Sequence, residues 1–201
     1  GYVLGKTKDK PVFLIGKDTR ISGDMLEDAL SAGFMATGSN VIKVGVLPTP
    51  AIAYLVKAYG ADAGVIVSAS HNSFEYNGIK FYNSEGFKMD DSFEDEVETI
   101  LLRNINMDGH ISGARIGKCL EADDEAELKY AKYLEQTIDA DISGRKLVVD
   151  CANGSAYKVA EKVFTDLGAE VIMIGNKPDG LNINAKCGST HPQLIQQEVI
   201  A

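Results

Sequence analysis

Apolar and polar positions follow two periods along this chain, and the periods alternate. Short apolar runs at residues 11–16, 40–45, 63–67 and 79–82 have the length and β-branched content of strands. Between them the spacing turns helical. Leu26, Leu30 and Phe34, with the small Gly33 and Thr37, share one face of a predicted helix. Ser22 stands where it would cap that helix, Asp24 puts negative charge near the positive end of its dipole, and Gly38 stops it. Thr49-Pro50 opens a second helix, with proline read at the first helical position, and Gly60 closes it. Residues 91–103 form a charged amphipathic helix. Residues 104–120 keep no period and are predicted irregular. Residues 124–138 are helical again, with Leu128, Ala131, Tyr133, Leu134 and Ile138 on the apolar face.

Near residue 141 the pattern restarts. A strand at 146–149 leads to Asp150, a helix covers 155–167, Gly168 stops it, and a strand at 170–174 ends on Gly175. Asp18, Gly38 and Gly45 hold the same order in the first unit that Asp150, Gly168 and Gly175 hold in the second. This reads as an internal repeat of one βαβ module. Strands alternating with helices predict an α/β fold whose mostly parallel sheet is covered on both faces. The boundary falls at about residue 142, giving a first domain over 1–142 and the start of a second over 143–201. Residues 192–201 have helical spacing at Leu194, Ile195 and Val199 without a cap or stop. The second unit is therefore expected to be incomplete and the chain a fragment.

Composition narrows the function classes. Of the 201 residues 45% are hydrophobic and 24% charged, which suits a globular domain. No run approaches the ~20 apolar residues of a membrane span, and Gly1-Tyr2-Val3 is not the start of a basic-then-apolar leader. The net charge of −9 disfavours a nucleic-acid partner, so a phosphate-bearing ligand must find positive charge locally. Cys119, Cys151 and Cys187 are too few and too dispersed for a disulfide framework or a zinc site. They are expected to be free thiols in the cytoplasm.

Ligands of open α/β sheets gather beyond the carboxyl ends of the strands. Polar clusters fall at three such ends, at residues 17–23, 68–80 and 150–155. The middle cluster, Ser68-Ala69-Ser70-His71-Asn72, is the richest in chemistry. Serine, histidine and asparagine are also ordinary loop residues, and Asn77-Gly78 alone signals a hairpin turn, so a plain loop and a ligand site both stay open. Successive side chains of extended backbone point to opposite faces, so Ser70 and His71 are not expected to form a hydrolase pair. Asp18 or Asp150 at a strand end leaves open a third reading, a non-catalytic phosphate-responsive module.

Ser68-Ala-Ser-His-Asn72 followed by Asn77-Gly-Ile-Lys80 resembles the active-site serine loop of the α-D-phosphohexomutase superfamily. Gly16-Lys-Asp-Thr-Arg20 with Ser22-Gly23 resembles its first loop. Gly180-Leu-Asn-Ile-Asn-Ala-Lys-Cys-Gly-Ser-Thr190 is similar to a segment of its phosphoglucosamine mutase branch rather than the phosphomannomutase branch. The resemblance implies a three-layer α/β/α domain followed by an incomplete domain of the same type. It implies that Ser70 carries a phosphoryl group exchanged with a hexosamine monophosphate through a bisphosphate, with phosphoglucomutase or phosphomannomutase activity as the alternative. Arg20 and Lys80 match basic residues beside that serine, suited to phosphate oxygens by charge and, for Arg20, by its forked donors. Without the motif, either would read as a solvated surface cation. His71 and Asn72 match positions that bind phosphate or brace the loop. The superfamily uses Mg²⁺, which the phosphate on Ser70 would contact, the remaining carboxylate ligands being expected outside this chain. The piece alone is therefore expected to be inactive. No nucleic-acid or membrane partner is implied, and the enzyme would be a monomer or homodimer. The chain departs from the superfamily at Ser73, where proline is common, and at Tyr76, where aspartate is. Asp139-Ala140-Asp141 imitates the metal loop superficially but follows a helix and reads as a solvated linker. His110 and His191 match no known role.

Overall fold

A computed structural model of the protein describes residues 1–103, 112–120 and 125–200. The elements run α1 (Tyr2–Gly5), β1 (Val12–Lys17), α2 (Ser22–Ala36), β2 (Asn40–Val46), α3 (Thr49–Ala58), β3 (Ala63–Val67), β4 (Ile79–Asn83) and α4 (Asp91–Leu102). A short 3₁₀ turn (Gly113–Arg115) leads to β5 (Cys119–Leu120), α5 (Ala126–Glu135), β6 (Lys146–Asp150), α6 (Tyr157–Asp166), β7 (Glu170–Ile174) and α7 (Gln193–Ile200).

The first five strands form one sheet in the order β4-β3-β1-β2-β5, and β6 pairs with β7 in a second. β1 runs parallel to β2 and β3, β5 runs parallel to β2, and β4 is antiparallel to β3. The sheet is therefore mostly parallel, as the alternation of strands and helices predicted, and mixed because β4 is antiparallel. β1 steps to β2 in one direction, and β2 then crosses back over β1 to β3. Right-handed crossovers taken in opposite directions place their helices on opposite faces. Accordingly α3 packs with Leu14, Leu47 and Ile66 on one face, while Phe34 of α2 packs with Phe13, Ile15 and Val65 on the other. The Phe13 and Phe34 rings stack at 3.9 Å between centroids. β3 is buried at every position and β1 from Phe13 to Gly16, which is why both read as continuous apolar runs rather than alternating ones.

Close approach of α3 needs glycine in the strands beneath it. A Cβ at Gly64 would lie 2.4 Å from Val56 Cγ2, and one at Gly16 would lie 2.4 Å from Ile52 Cδ1. The apolar cluster of α3 continues through Ala126, Tyr130 and Ala131 of α5 to Val159 and Val163 of α6, so the second sheet is attached through helices rather than strands.

Several expectations need correction. β5 edges the first sheet inside the stretch predicted irregular, because two residues suffice to pair with Val41 and Ile42. The helix predicted over 124–138 spans Ala126–Glu135. Residues 104–111 and 121–124, His110 among them, lie outside the described residues. The cap position of α2 is Ile21, not Ser22. Ser22 is instead the first helical residue, and its Oγ accepts from Asn77 Nδ2 at 2.9 Å. The buried row of α2 is Gly23, Glu27, Ser31 and Phe34, with Leu26 and Leu30 half-buried and Gly33 exposed. Glu27 can be buried in that row because it is paired with Lys17. Pro50 occupies the second helical position of α3. The short helix α1 had no counterpart in the sequence reading.

Candidate active site

β1 and β3 are neighbours whose outgoing chains leave to opposite sides, so a crevice opens between their carboxyl ends, the place where such sheets hold ligands. Lys17 pairs in register with Val67, and Asp18 N donates to Val67 O at 3.0 Å. The first polar loop is thereby stitched to the base of the second. Lys17 Nζ reaches Glu27 and Asp24, each at 2.6 Å. Burial opposes its charge, but the hydrogen bonds it donates to the two carboxylates outweigh this and hold the ammonium above its ordinary range.

Arg20 folds back under the crevice. Its side chain is 0% exposed, and Nη1 pairs with the Asp18 carboxylate, itself 4% exposed. Asp18 Oδ1 also accepts from Arg20 N at 3.1 Å. Arg20 Nη2 donates to the carbonyl oxygens of Ser70 at 3.2 Å and Asn72 at 2.6 Å. The surface-cation alternative thus does not describe Arg20: its fork grips the serine loop by its backbone. With both carboxylate oxygens engaged, Asp18 is not a free phosphoryl acceptor.

The serine loop is closed at its root by Ser68 N donating to Gly78 O at 2.9 Å, and Asn72 N donates to Ala69 O at 3.2 Å. Ser70 N lies 3.3 Å from Ser68 Oγ. Ser70 itself is exposed and adopts φ +55, a left-handed conformation uncommon outside glycine and characteristic of functional turns. Its Oγ therefore lies 3.4 Å from His71 Nδ1. The expectation that these two side chains diverge assumed extended backbone, and the left-handed residue removes that assumption. At 3.4 Å the contact is long for a hydrogen bond.

A further side of the crevice comes from the second sheet, and the sequence reading did not connect it to the site. Asp150 at the end of β6 accepts from Ala152 N at 2.8 Å and Gly188 N at 2.6 Å, so its oxygens are held by backbone and not offered to a ligand. Thr19 Oγ1 donates to Asn153 O at 2.5 Å, and Ile21 N to Gly180 O at 2.9 Å. Asn184 Nδ2 donates to Ser70 O at 3.1 Å and Asn72 O at 2.9 Å. The signal that could have found it is the asparagine- and glycine-rich run 180–190, whose left-handed residues Gly180, Asn184, Lys186 and Gly188 make a loop of fixed shape.

Arg20, Ser70 and Asn72 are therefore brought together directly, and His71 lies beside Ser70. Lys80 is exposed on β4, opposite Ile66 of β3. His71 and His191 line one cleft of about 330 Å³ with Asn184 and Thr190. Asp141 Oδ1 accepts from Ser143 N at 2.9 Å and is exposed, as a linker residue would be. Among the described residues no three His, Cys, Asp or Glu side chains gather as a metal would need. No helix among them is long and apolar enough to cross a membrane.

Ser70 thus stands at a left-handed loop tip beyond β3, next to the central strand β1 of a mostly parallel α/β sheet. Residues 1–107 match the family described as phosphoglucomutase/phosphomannomutase, alpha/beta/alpha domain I, and the chain belongs to that family. It is 53% identical over 202 residues to the phosphoglucosamine mutase of Caldicellulosiruptor bescii and 50% identical over 200 residues to that of Clostridioides difficile, covering 99% and 100% of this chain. The chain spans 44% of the length of these curated relatives. Among solved structures, a phosphoglucomutase/phosphomannomutase family protein from Burkholderia thailandensis superposes with a TM-score of 0.75 at 26% identity, over 97% of this chain and 42% of that one.

Proposed function

We propose that this chain is the first part of a phosphoglucosamine mutase and supplies Ser70 as its phosphoryl carrier. The observation that carries the proposal is the exposed, left-handed Ser70 at the carboxyl end of a fully buried strand, with its own carbonyl gripped by a buried guanidinium. Phosphoserine 70 transfers its phosphoryl group to the free hydroxyl of glucosamine 6-phosphate, giving a bisphosphate. The serine oxygen leaves and takes up the proton that the sugar hydroxyl loses. The bisphosphate reorients and returns its other phosphoryl group to Ser70, releasing glucosamine 1-phosphate. Such transfers depend mainly on positioning and charge compensation.

In this scheme Arg20 positions the loop rather than touching phosphate. Lys80 supplies positive charge near the sugar or serine, and His71 and Asn72 line the phosphate. The relatives' shared name and the segment from Gly180 to Thr190 support the amino-sugar substrate over glucose or mannose phosphates. The proposed domain boundary stays near residue 142, where the chain passes from α5 to β6, and the enzyme is placed in the cytoplasm. Mg²⁺ belongs to the family's chemistry, but the described residues do not form its site. Ser70 would offer one phosphate oxygen, whereas the ion prefers about six oxygen ligands. With no cluster of such ligands among the described residues, the chain by itself is expected not to turn over. Phosphopeptide mapping of the full-length enzyme should find the modification on Ser70, with activity lost in Ser70→Ala. Phosphate on Ser68 or Ser73, with Ser70→Ala active, would refute the assignment.

A further inference from the structure

The two carbonyl oxygens held by Arg20 are held a second time. Asn184 Nδ2 reaches Ser70 O and Asn72 O from the loop that follows β7, while Arg20 Nη2 reaches them from the loop that follows β1. We infer that Asn184 is a positioning residue for phosphoryl transfer at Ser70, locking the serine loop in its left-handed form when the second unit is docked. The inference rests on Ser70 being the phosphoryl carrier.

Each carbonyl oxygen has two acceptor positions, and here one is filled from each side of the crevice. Two carbonyls aimed into the same space repel unless donors bridge them, so a donor pair stabilises this turn over more open alternatives. Asn184 is suited to the task in backbone as well as side chain. Its φ of +59 lies in the left-handed region that asparagine tolerates better than most residues. Its N donates to Ala152 O at 2.8 Å. Ala152 N and Gly188 N are in turn fixed by the one carboxylate of Asp150. The amide is thus presented from a frame anchored at the end of β6.

That frame sits on the residues flanking Arg20. Thr19 bonds Asn153 O, and Ile21 N bonds Gly180 O. A Cβ at Gly180 would come within 3.2 Å of Ile21 Cβ, so the two loops are in close register there. Arg20 and Asn184 consequently act from one docked surface, and the geometry of Ser70 is coupled to how the two units pack. A nucleophile displaced by ~1 Å can lose about a hundredfold in rate, so this coupling bears on turnover and not merely on cohesion.

Two substitutions separate positioning from cohesion. Asn184→Gly keeps the left-handed backbone and removes both donors. Asn184→Asp keeps the size but sets a carboxylate oxygen against two carbonyl oxygens. In the full-length enzyme kcat is expected to fall about tenfold or more in Asn184→Gly and further in Asn184→Asp, with KM for glucosamine 6-phosphate nearly unchanged. Amide hydrogen exchange in this chain should quicken at residues 69–73 and stay as it was in β1 and β3. If Asn184→Asp does not fold, Asn184→Gly carries the test, since it adds no charge. Wild-type kcat and unchanged loop exchange in Asn184→Gly, or a rise in KM alone, would overturn the inference while leaving Ser70 in place. An active wild-type enzyme without phosphate on Ser70 would overturn the underlying reading, and the inference with it.

Discussion

Arg20→Met tests the foundation of the site. The guanidinium side chain is 0% exposed and faces a carboxylate that is 4% exposed, so deleting it strands the Asp18 charge in the interior. Among the described residues, the remaining partner of that carboxylate is Arg20 N at 3.1 Å. Removing one member of a buried pair typically costs ~3–5 kcal/mol. The lost bonds to Ser70 O and Asn72 O overlap with this figure and are not added to it, since neighbouring losses are not additive. Against a total stability of ~5–15 kcal/mol this is a large fraction. At roughly 2–4 °C per kcal/mol for a chain of this size, the melting temperature should drop by about 6–20 °C. Urea and thermal unfolding of the 201-residue chain, followed by circular dichroism, measure both quantities. The double variant Asp18→Asn/Arg20→Met removes both charges and should recover at least ~1 kcal/mol of the loss, because a neutral replacement leaves no stranded ion. A cost below ~1 kcal/mol for Arg20→Met, the scale of an exposed ion pair, would refute the claim that this arginine is a buried clamp. A double variant no better than the single one would show that the stranded charge is not the source.

Lys80 should behave in the opposite way. It is exposed, so Lys80→Ala is expected to change stability by less than ~1 kcal/mol while slowing full-length turnover by about tenfold or more; unaltered turnover would make it a solvated surface cation. The thiols offer a separate check, because Cys119 is exposed while Cys151 and Cys187 are buried. Iodoacetamide at pH 8 should add one group to the folded chain and three in urea, read by intact mass. Burial, then the nearby Asp150 and Glu161 charges, push the Cys151 thiol from 9.0 up to about 11. The unfolded state therefore ionises first as pH rises. The stabilising effect of this thiol is complete below pH 9.0 and is lost toward about 11. The urea midpoint should fall over that window, and less steeply in Cys151→Ala; equal slopes would contradict the assignment.

The sequence by itself determined every described strand but β5, most of the helices and the place of the serine loop. Those features are local. An apolar run such as Ala63–Val67 must be buried on both faces, and Ser68 to Asn72 must follow where the run stops, whatever surrounds them. The repeat of strand, aspartate, helix and glycine likewise announced a second unit, which is present as β6, α6 and β7. Only the tertiary structure decided what each polar group faces. Arg20 and Ser70 meet because strand order sets β1 beside β3, and nothing in residues 16–20 encodes that neighbour. Glu27 is buried in α2 and pairs with Lys17 of β1, a partner that the helical spacing of residues 22–36 does not reveal. The approach of Ser70 Oγ to His71 depends on a single positive φ, which the types of residues 68–72 do not reveal. Asn184 reaches Ser70 across 114 residues of chain. Side-chain periodicity reports which face of an element is apolar, whereas a loop's partner is fixed by the packing of elements distant in the chain, and that packing is what assembled this crevice.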